Sequence, residues 1–412
     1  MKRFLTFLAA LCGCISLQAQ VIPGIEVLES YGFDELKGKR VGLVTNPSGV
    51  DRQLRSTIDI LFQAPEVNLV ALYGPEHGVR GDAYAGDYVE NTTDPATGLP
   101  VYSLYGPNRE PTQKMLEGID IMVYDIQDVG TRSYTFISTL GLVMRACAKA
   151  NIEVLVLDRP NPLGGLKVEG PLVEENFHSF VSEFRIPYVY GLTVAELAGL
   201  INEEGLNRGI DGKEEHLKCR LNVIPMRGWR RQMLYRDTGL PWILPSPNIP
   251  SEASALGYPC AGICGELGHL QIGVGYTIPF QVFAASWIDA DKLKERLDSY
   301  GIPGTAFRTI HYKPISGSLA GKLVHGVQFF FTDYEAATIT LTQFYVMQAV
   351  QELFPGHNPF PPKVKRMLDI VCGTDYVRTT FGKQLKVQDI VDYWNKDASD
   401  FKALSQKYYL YQ

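Results

Sequence analysis

Three polar loops interrupt the apolar runs of this chain, and each carries residue types that move protons or hold anions. The first is Gly74-Pro75-Glu76-His77-Gly78-Val79-Arg80-Gly81-Asp82. Glycines and a proline fix the backbone around Glu76, which suits a carboxylate held at a set angle for proton transfer or nucleophilic attack, with His77 beside it. The structural alternative is that Glu76 or His77 caps the following segment. The second loop is Asp125-Ile126-Gln127-Asp128-Val129-Gly130-Thr131-Arg132-Ser133-Tyr134. Asp125 and Asp128 are candidate partners for Glu76, because glycosidic cleavage uses two carboxyl groups, about 5 Å apart for retention or roughly 6.5 to 9.5 Å for inversion. An Asp at a strand end also binds local backbone amides, which is the competing reading of both. The third loop is Asp158-Arg159-Pro160-Asn161-Pro162-Leu163-Gly164-Gly165.

Binding groups surround these carboxylates. Arg80 and Arg132 carry the group best shaped to hold a carboxylate through two parallel hydrogen bonds, so either can orient an acidic sugar substituent. The alternative is an ion pair with Asp82, Asp125 or Asp158. Tyr134, Asp158, Asn161 and Asn248 are candidates for sugar hydroxyls or an N-acetyl group, and turn formation explains both Asn residues as well. A metal site on His77 with Asp82 or Asp87 is disfavoured, since no His-x-x-x-His pair is present. Gly-x-Gly-x-x-Gly is absent after the first strand, where Thr45-Asn46-Pro47-Ser48-Gly49 stands, and neither a Walker A sequence nor a Gly-x-Ser-x-Gly elbow occurs. No cofactor is expected.

Elements that place the loops follow from periodicity. Short β-rich runs alternate with helical patterns over 40–45, 57–64, 67–73, 119–124, 141–150 and 153–158, the signature of a parallel sheet with crossover helices. The strands are nearly continuous in Val, Leu and Ile, as expected where helices cover both faces. A helix is predicted over 193–204 with Thr193 as N-cap. The Pro-rich passage 240–250 cannot be helical and approaches a boundary. Strands at 281–288 and 324–331 and helices at 291–299, 338–353 and 387–396 complete a smaller domain. The expected fold is therefore α/β, a Rossmann-like parallel-sheet domain over 20–265 followed by a smaller α+β domain over 266–412 that completes the cleft.

Composition sets the boundaries of this reading. Lys2 and Arg3 precede an apolar run and a small-residue exit at Leu17-Gln18-Ala19, so 1–19 is predicted to be a signal peptide. The protein is then expected to be exported, periplasmic or secreted. Alternatively, Leu11-Cys12-Gly13-Cys14 is a lipobox and Cys14 carries a lipid anchor. No segment supplies the roughly 20 apolar residues of a membrane span. A net charge of −6 with no basic stripe argues against nucleic acid as partner. Five cysteines remain, at 147, 219, 260, 264 and 372, and their odd number leaves at least one free. Cys260 and Cys264 lack companions at zinc spacing and read as structural or paired thiols.

The Gly74–Gly78, Tyr124–Tyr134 and Leu157–Gly165 strings, with Glu169-Gly170-Pro171 and the 239–248 run, resemble those of the NamZ-type exo-β-N-acetylmuramidase family, formerly a bacterial domain of unknown function. The resemblance covers nearly the whole mature chain. It implies a cleft between two domains and release of N-acetylmuramic acid from the non-reducing ends of peptidoglycan fragments, with Glu76 as leading catalytic group. An Arg in the cleft would recognise the lactyl carboxylate of that sugar. The chain departs from the family pattern at Tyr190, where a His is usual. It departs again around Glu266 and His269, the expected substrate-binding pair, where a Glu-Gly-Thr-Asn run is usual, and at Val274, where an Arg is usual. These departures keep open a glycosidase for another N-acylated sugar, a glycan-binding protein without turnover or, more remotely, a metal-dependent hydrolase.

Overall fold

The computed structural model of the chain describes residues 20–81, 91–204, 217–360 and 364–412. The expected signal peptide with Cys14, and Asp82 and Asp87, lie outside the described residues. Among the described residues no helix is long and apolar enough to cross a membrane.

A seven-stranded sheet is built from β1 (Arg40–Thr45), β2 (Asn68–Gly74), β3 (Thr92–Thr93), β4 (Pro100–Ser103), β5 (Ile121–Asp125), β6 (Glu153–Leu157) and β7 (Arg220–Ile224). Its order is β3-β4-β2-β1-β5-β6-β7, and only β3 runs antiparallel to its neighbour. Alternate residues of each strand enter opposite cores, which is why the strands read as unbroken apolar runs. Val41, Leu43, Ile121, Val123, Leu155 and Leu157 pack under α1 (Gly24–Ser30) and α2 (Thr57–Gln63). Val44, Met122, Tyr124, Val154 and Val156 pack under α3 (Phe136–Lys149) and α4 (Val194–Glu203). Each such side chain, when fully buried, contributes about 1.5 to 3 kcal/mol. α4 starts as the sequence predicts: Thr193 accepts from the Glu196 amide while the Glu196 carboxylate reaches back to the Thr193 amide.

β1 neighbours both β2 and β5, and the chain winds outward from it in two directions. That reversal opens a crevice at the carboxyl ends of the strands, where loops part instead of covering one another.

α5 (Glu252–Leu267) leads into the second half and runs through residue 265, the expected domain boundary. Its internal Pro259 and glycines disguise it in the sequence. They also let it pack closely, since a Cβ on Gly257 would lie 2.1 Å from the Phe280 carbonyl oxygen. Beyond it, β8 (Val282–Ala285), β9 (Thr305–Tyr312) and β10 (Val324–Phe331) form an antiparallel sheet in the order β8-β10-β9. α6 (Ala290–Ser299) packs on this sheet, α7 (Thr342–Leu353) on α6 and α5, and α8 (Lys365–Cys372) on α5. One apolar core runs from Tyr188 through Cys260 and Phe344 to Trp394, so the two halves share their interior.

Two predicted helices are shorter than their patterns. α7 begins at Thr342 because the Glu169 carboxylate holds the Ile339 and Thr340 amides outside the helix. The 387–396 pattern splits at Ile390, whose φ of −121° and ψ of −10° leave the helical region. All five described cysteines are free and buried.

The chain end is fastened onto the first sheet. The Tyr411 hydroxyl donates to Asp158 Oδ2 (2.5 Å) and accepts from the Met226 amide (2.8 Å). Tyr411→Phe is expected to lower unfolding free energy by about 1 to 3 kcal/mol, because both buried partners lose a bond. A urea-unfolding midpoint equal to wild type would show that the clasp carries no weight.

Candidate active site

Glu76 sits just past β2 in a turn closed by the Gly78 amide on the Pro75 carbonyl (3.0 Å). The turn folds back on the strand so tightly that a Cβ on Gly74 would lie 3.1 Å from Gly78 Cα. His77 follows with φ of 77°, a left-handed conformation that costs a non-glycine residue energy and marks a constrained loop. His77 is buried and Glu76 half-buried.

Three other elements meet Glu76. The Tyr105 phenol, just after β4, is within electrostatic reach of the Glu76 carboxylate; burial and then that charge raise its pKa. Tyr134, from the loop after β5, lies within electrostatic reach of Glu76, buried edge-on against Tyr258. Its hydroxyl faces Ser246 without a well-aligned hydrogen bond. Glu266, in the last turn of α5, is the fourth. The residue is exposed by surface area, yet protein atoms crowd its carboxyl, and its pKa is raised, first by partial loss of solvent and then by the charge of Glu76.

Glu266 also lines a cavity of about 430 Å³ with Tyr258, His269, Trp287 and Ser318, a size suited to a small-molecule site. Trp287 stacks on His357 at 3.8 Å between centroids, which fixes a flat apolar wall. His269 donates from Nε2 to the His357 carbonyl (3.1 Å), and burial lowers its pKa.

Asp128 lies behind Tyr134. Its Oδ2 accepts from the Gly130 amide (2.7 Å) and the Tyr190 hydroxyl, while buried Oδ1 has no hydrogen-bond partner. Desolvation pushes this carboxyl up to about 6 against those bonds. Tyr190, the departure from the family's usual His, is thus the residue that holds Asp128.

Most of the other sequence candidates are engaged by the fold. Asp125 is fully buried, and the Arg159 guanidinium takes both its oxygens (2.5 and 2.9 Å), with the Thr57 hydroxyl also on Oδ2. Asp158 accepts from the Arg159 and Ala195 amides and from the Thr193 and Tyr411 hydroxyls. Asn161 closes a turn between the Leu163 amide and the Leu192 carbonyl. Arg80 is clamped on Asp94 (2.9 and 3.0 Å), and Arg132, 1% exposed, donates to the Pro171, Ile186 and Val371 carbonyls and to Ser182. Arg132 is closed off from solvent, whereas Arg80 is exposed but held by Asp94. Half-buried Asn248, in the Pro-rich segment, makes no hydrogen bond among the described residues.

Sequence reasoning placed Glu266 among binding groups and missed Tyr105 and Arg109. Arg109 lies over the Phe180 ring at 4.2 Å, with a buried Nε that has no hydrogen-bond partner, and it acts on the same Tyr105 phenol that meets Glu76. A Tyr-Gly turn after a parallel strand, followed by an Arg, was the available signal. Among the described residues no group of three or more His, Cys, Asp or Glu side chains is placed to hold a metal ion.

Residues 41–253 match the family model described as exo-β-N-acetylmuramidase NamZ, N-terminal, and residues 256–411 its C-terminal counterpart. The peptidoglycan β-N-acetylmuramidase NamZ of Bacillus subtilis strain 168 is 40% identical over 392 residues, covering 95% of this chain and 92% of that protein. A crystal structure of a DUF1343 family protein from Bacteroides fragilis NCTC 9343 aligns with a TM-score of 0.90 at 52% identity, covering 95% of this chain and 99% of its own. A second DUF1343 protein from that strain gives a TM-score of 0.75 at 30% identity, over 96% of this chain and 99% of its own.

The contacts of Arg132 lead to a stability test. Arg132→Lys keeps the charge but loses the planar fork that bridges three carbonyls. Unfolding free energy is expected to fall by roughly 2 to 4 kcal/mol, with substrate KM unchanged in the folded enzyme. A raised KM at unaltered stability would return Arg132 to the cleft.

Proposed function

The chain belongs to the exo-β-N-acetylmuramidase NamZ family, and from that premise we propose that it is a glycosidase that removes N-acetylmuramic acid from the non-reducing ends of peptidoglycan fragments. One observation carries the assignment of the chemistry. Glu76 on the parallel-sheet half and Glu266 on α5 lie within electrostatic reach, and the Glu266 pKa is raised first by loss of solvent and then by the charge of Glu76. Glycosidic cleavage uses two carboxyl groups, one of them an acid with a raised pKa.

Glu266, protonated to higher pH than an ordinary carboxyl, donates its proton to the departing glycosidic oxygen. Glu76 stabilises the positive charge that develops on the anomeric carbon, where water then adds and returns a proton to the Glu266 carboxylate. Tyr105 stands near Glu76 on one side, and Tyr134, packed edge-on against Tyr258, stands near it on another. The Trp287 wall gives an apolar surface to a sugar ring in the adjoining cavity. The work is expected to take place outside the cytoplasm, a reading supported by the signal-like residues 1–19.

Arg109 is the guanidinium we assign to the lactyl carboxylate, in place of Arg80 and Arg132. It has no carboxylate hydrogen-bonded to it among the described residues, although it acts on the Glu183 carboxyl, and it neighbours the Tyr105 phenol near Glu76. The Arg109→Gln variant is expected to lose about 10- to 100-fold in kcat/KM on an aryl N-acetylmuramide. Its residual rate on the matching N-acetylglucosaminide, which lacks the lactyl group, should hold steady. Equal losses on both would remove Arg109 from recognition.

The acid and the anion are separated by leaving group. Glu266→Gln should lose at least about 100-fold on a muramic acid disaccharide and far less on an aryl glycoside whose phenolate departs unaided. Because the Glu266 pKa is raised, wild-type kcat/KM should fall on the alkaline side as that proton is lost, and this limb should vanish in the variant. Glu76→Gln should be crippled on both substrates. A Glu76→Gln enzyme as active as wild type would sink the proposal.

A further inference from the structure

The antiparallel sheet carries a pair of side chains that glycoside chemistry does not use. His311 on β9 and His325 on β10 are direct cross-strand partners, and their Nδ1 atoms stand 2.8 Å apart. The register is set by the neighbouring residues. Tyr312 and Val324 enter a small buried cluster with Val282 and Ala284, so the adjacent His311 and His325 must project from the opposite face. Further along, that face is buried by Phe307, Val327 and Phe329, and the histidines occupy its open end, His311 exposed and His325 half-buried. β10 cannot shift away from β8, since a Cβ on Gly326 would lie 2.0 Å from the Phe283 carbonyl oxygen. A slip of one residue would also bury both imidazoles and expose the cluster.

We propose that His311 and His325 form a two-imidazole chelate for a divalent transition ion, Cu²⁺ above all and Ni²⁺ next. The spacing selects the ion. Two nitrogens about 2.0 Å from a metal and at right angles to each other stand about 2.8 Å apart, the edge of a square-planar or tetragonal site, whereas tetrahedral zinc spreads them to about 3.3 Å. Imidazole affinity also rises to Cu²⁺ along the first-row series. Neither ring has another hydrogen-bond or ion-pair partner among the described residues, so no existing contact has to break except their own N–H···N bond. The ring that donates in that bond moves its proton from Nδ1 to Nε2, which leaves both Nδ1 lone pairs free to converge on the ion with no net proton released. Among the described residues no third His, Cys, Asp or Glu joins the pair. Water completes the shell, and the ion is exchangeable.

Copper chloride titrated into the purified, metal-free protein, followed by calorimetry and electron paramagnetic resonance, tests this. One Cu²⁺ per chain is expected, with hyperfine structure from two nitrogens and weaker binding of Ni²⁺ and Zn²⁺. His311→Gln and His325→Gln should each weaken the site by at least about tenfold, and the double variant should lose it while keeping the wild-type near-ultraviolet circular dichroism. Undiminished Cu²⁺ affinity in the double variant, a one-nitrogen spectrum, or Zn²⁺ bound as tightly as Cu²⁺ would overturn the assignment.

Discussion

The buried ion pair between Asp125 and Arg159 is the constraint on which the carboxyl edge of the parallel sheet depends. Asp125 ends β5, Arg159 follows β6, Thr57 opens α2, and the Val50 carbonyl that accepts from Arg159 (2.9 Å) belongs to the loop after β1. Three strand ends and one helix start are thus tied by one carboxylate and one guanidinium. Removing either partner would strand an uncompensated charge in the interior, at a cost of about 3 to 5 kcal/mol. The pair leaves the sheet edge rigid at the reversal between β1 and β5, and the Glu76 loop, one strand over, inherits that rigidity.

The same economy of polar groups explains the division of the site. Asp158 gathers the starts of α4 and the chain terminus, Arg132 gathers backbone carbonyls from three segments, and Glu169 gathers the amides ahead of α7. Each is saturated by the fold. The groups gathered about the crevice are Glu76, Glu266, Asp128, Tyr134 and Arg109, and Glu266 joins them because α5 carries it across from the second half. The shared core through Cys260, Phe344 and Trp394 holds that helix against the sheet. The two carboxyl groups therefore keep their separation for the same reason that the halves stay packed.

Much of the frame was legible in the sequence, and much less of the site. Val-, Leu- and Ile-rich runs announced β1, β2, β5 and β6 because both faces of a parallel strand are buried, and Thr193 with Glu196 announced the start of α4. Glycines around Glu76 marked a loop with no freedom, and the structure bears this out at Gly74 and His77. The fate of a polar side chain was not legible, because an Asp after a strand reads alike whether it is buried against a Tyr hydroxyl, as Asp128 is, or against an Arg, as Asp125 is. Glu266 was hidden differently. Pro259 and three glycines erase the helical pattern of α5, so nothing in the local sequence reveals that its last turn comes near Glu76 across a distance of about 190 residues along the chain.

The central claim is that Glu76 and Glu266 bracket one glycosidic bond. A crystal structure of the Glu76→Gln protein soaked with a disaccharide bearing N-acetylmuramic acid at its non-reducing end tests it most directly. The account predicts the bridging oxygen within about 3 Å of the Glu266 carboxyl and the residue 76 side chain beside the anomeric carbon. A disaccharide seated with its glycosidic bond remote from both side chains would contradict it.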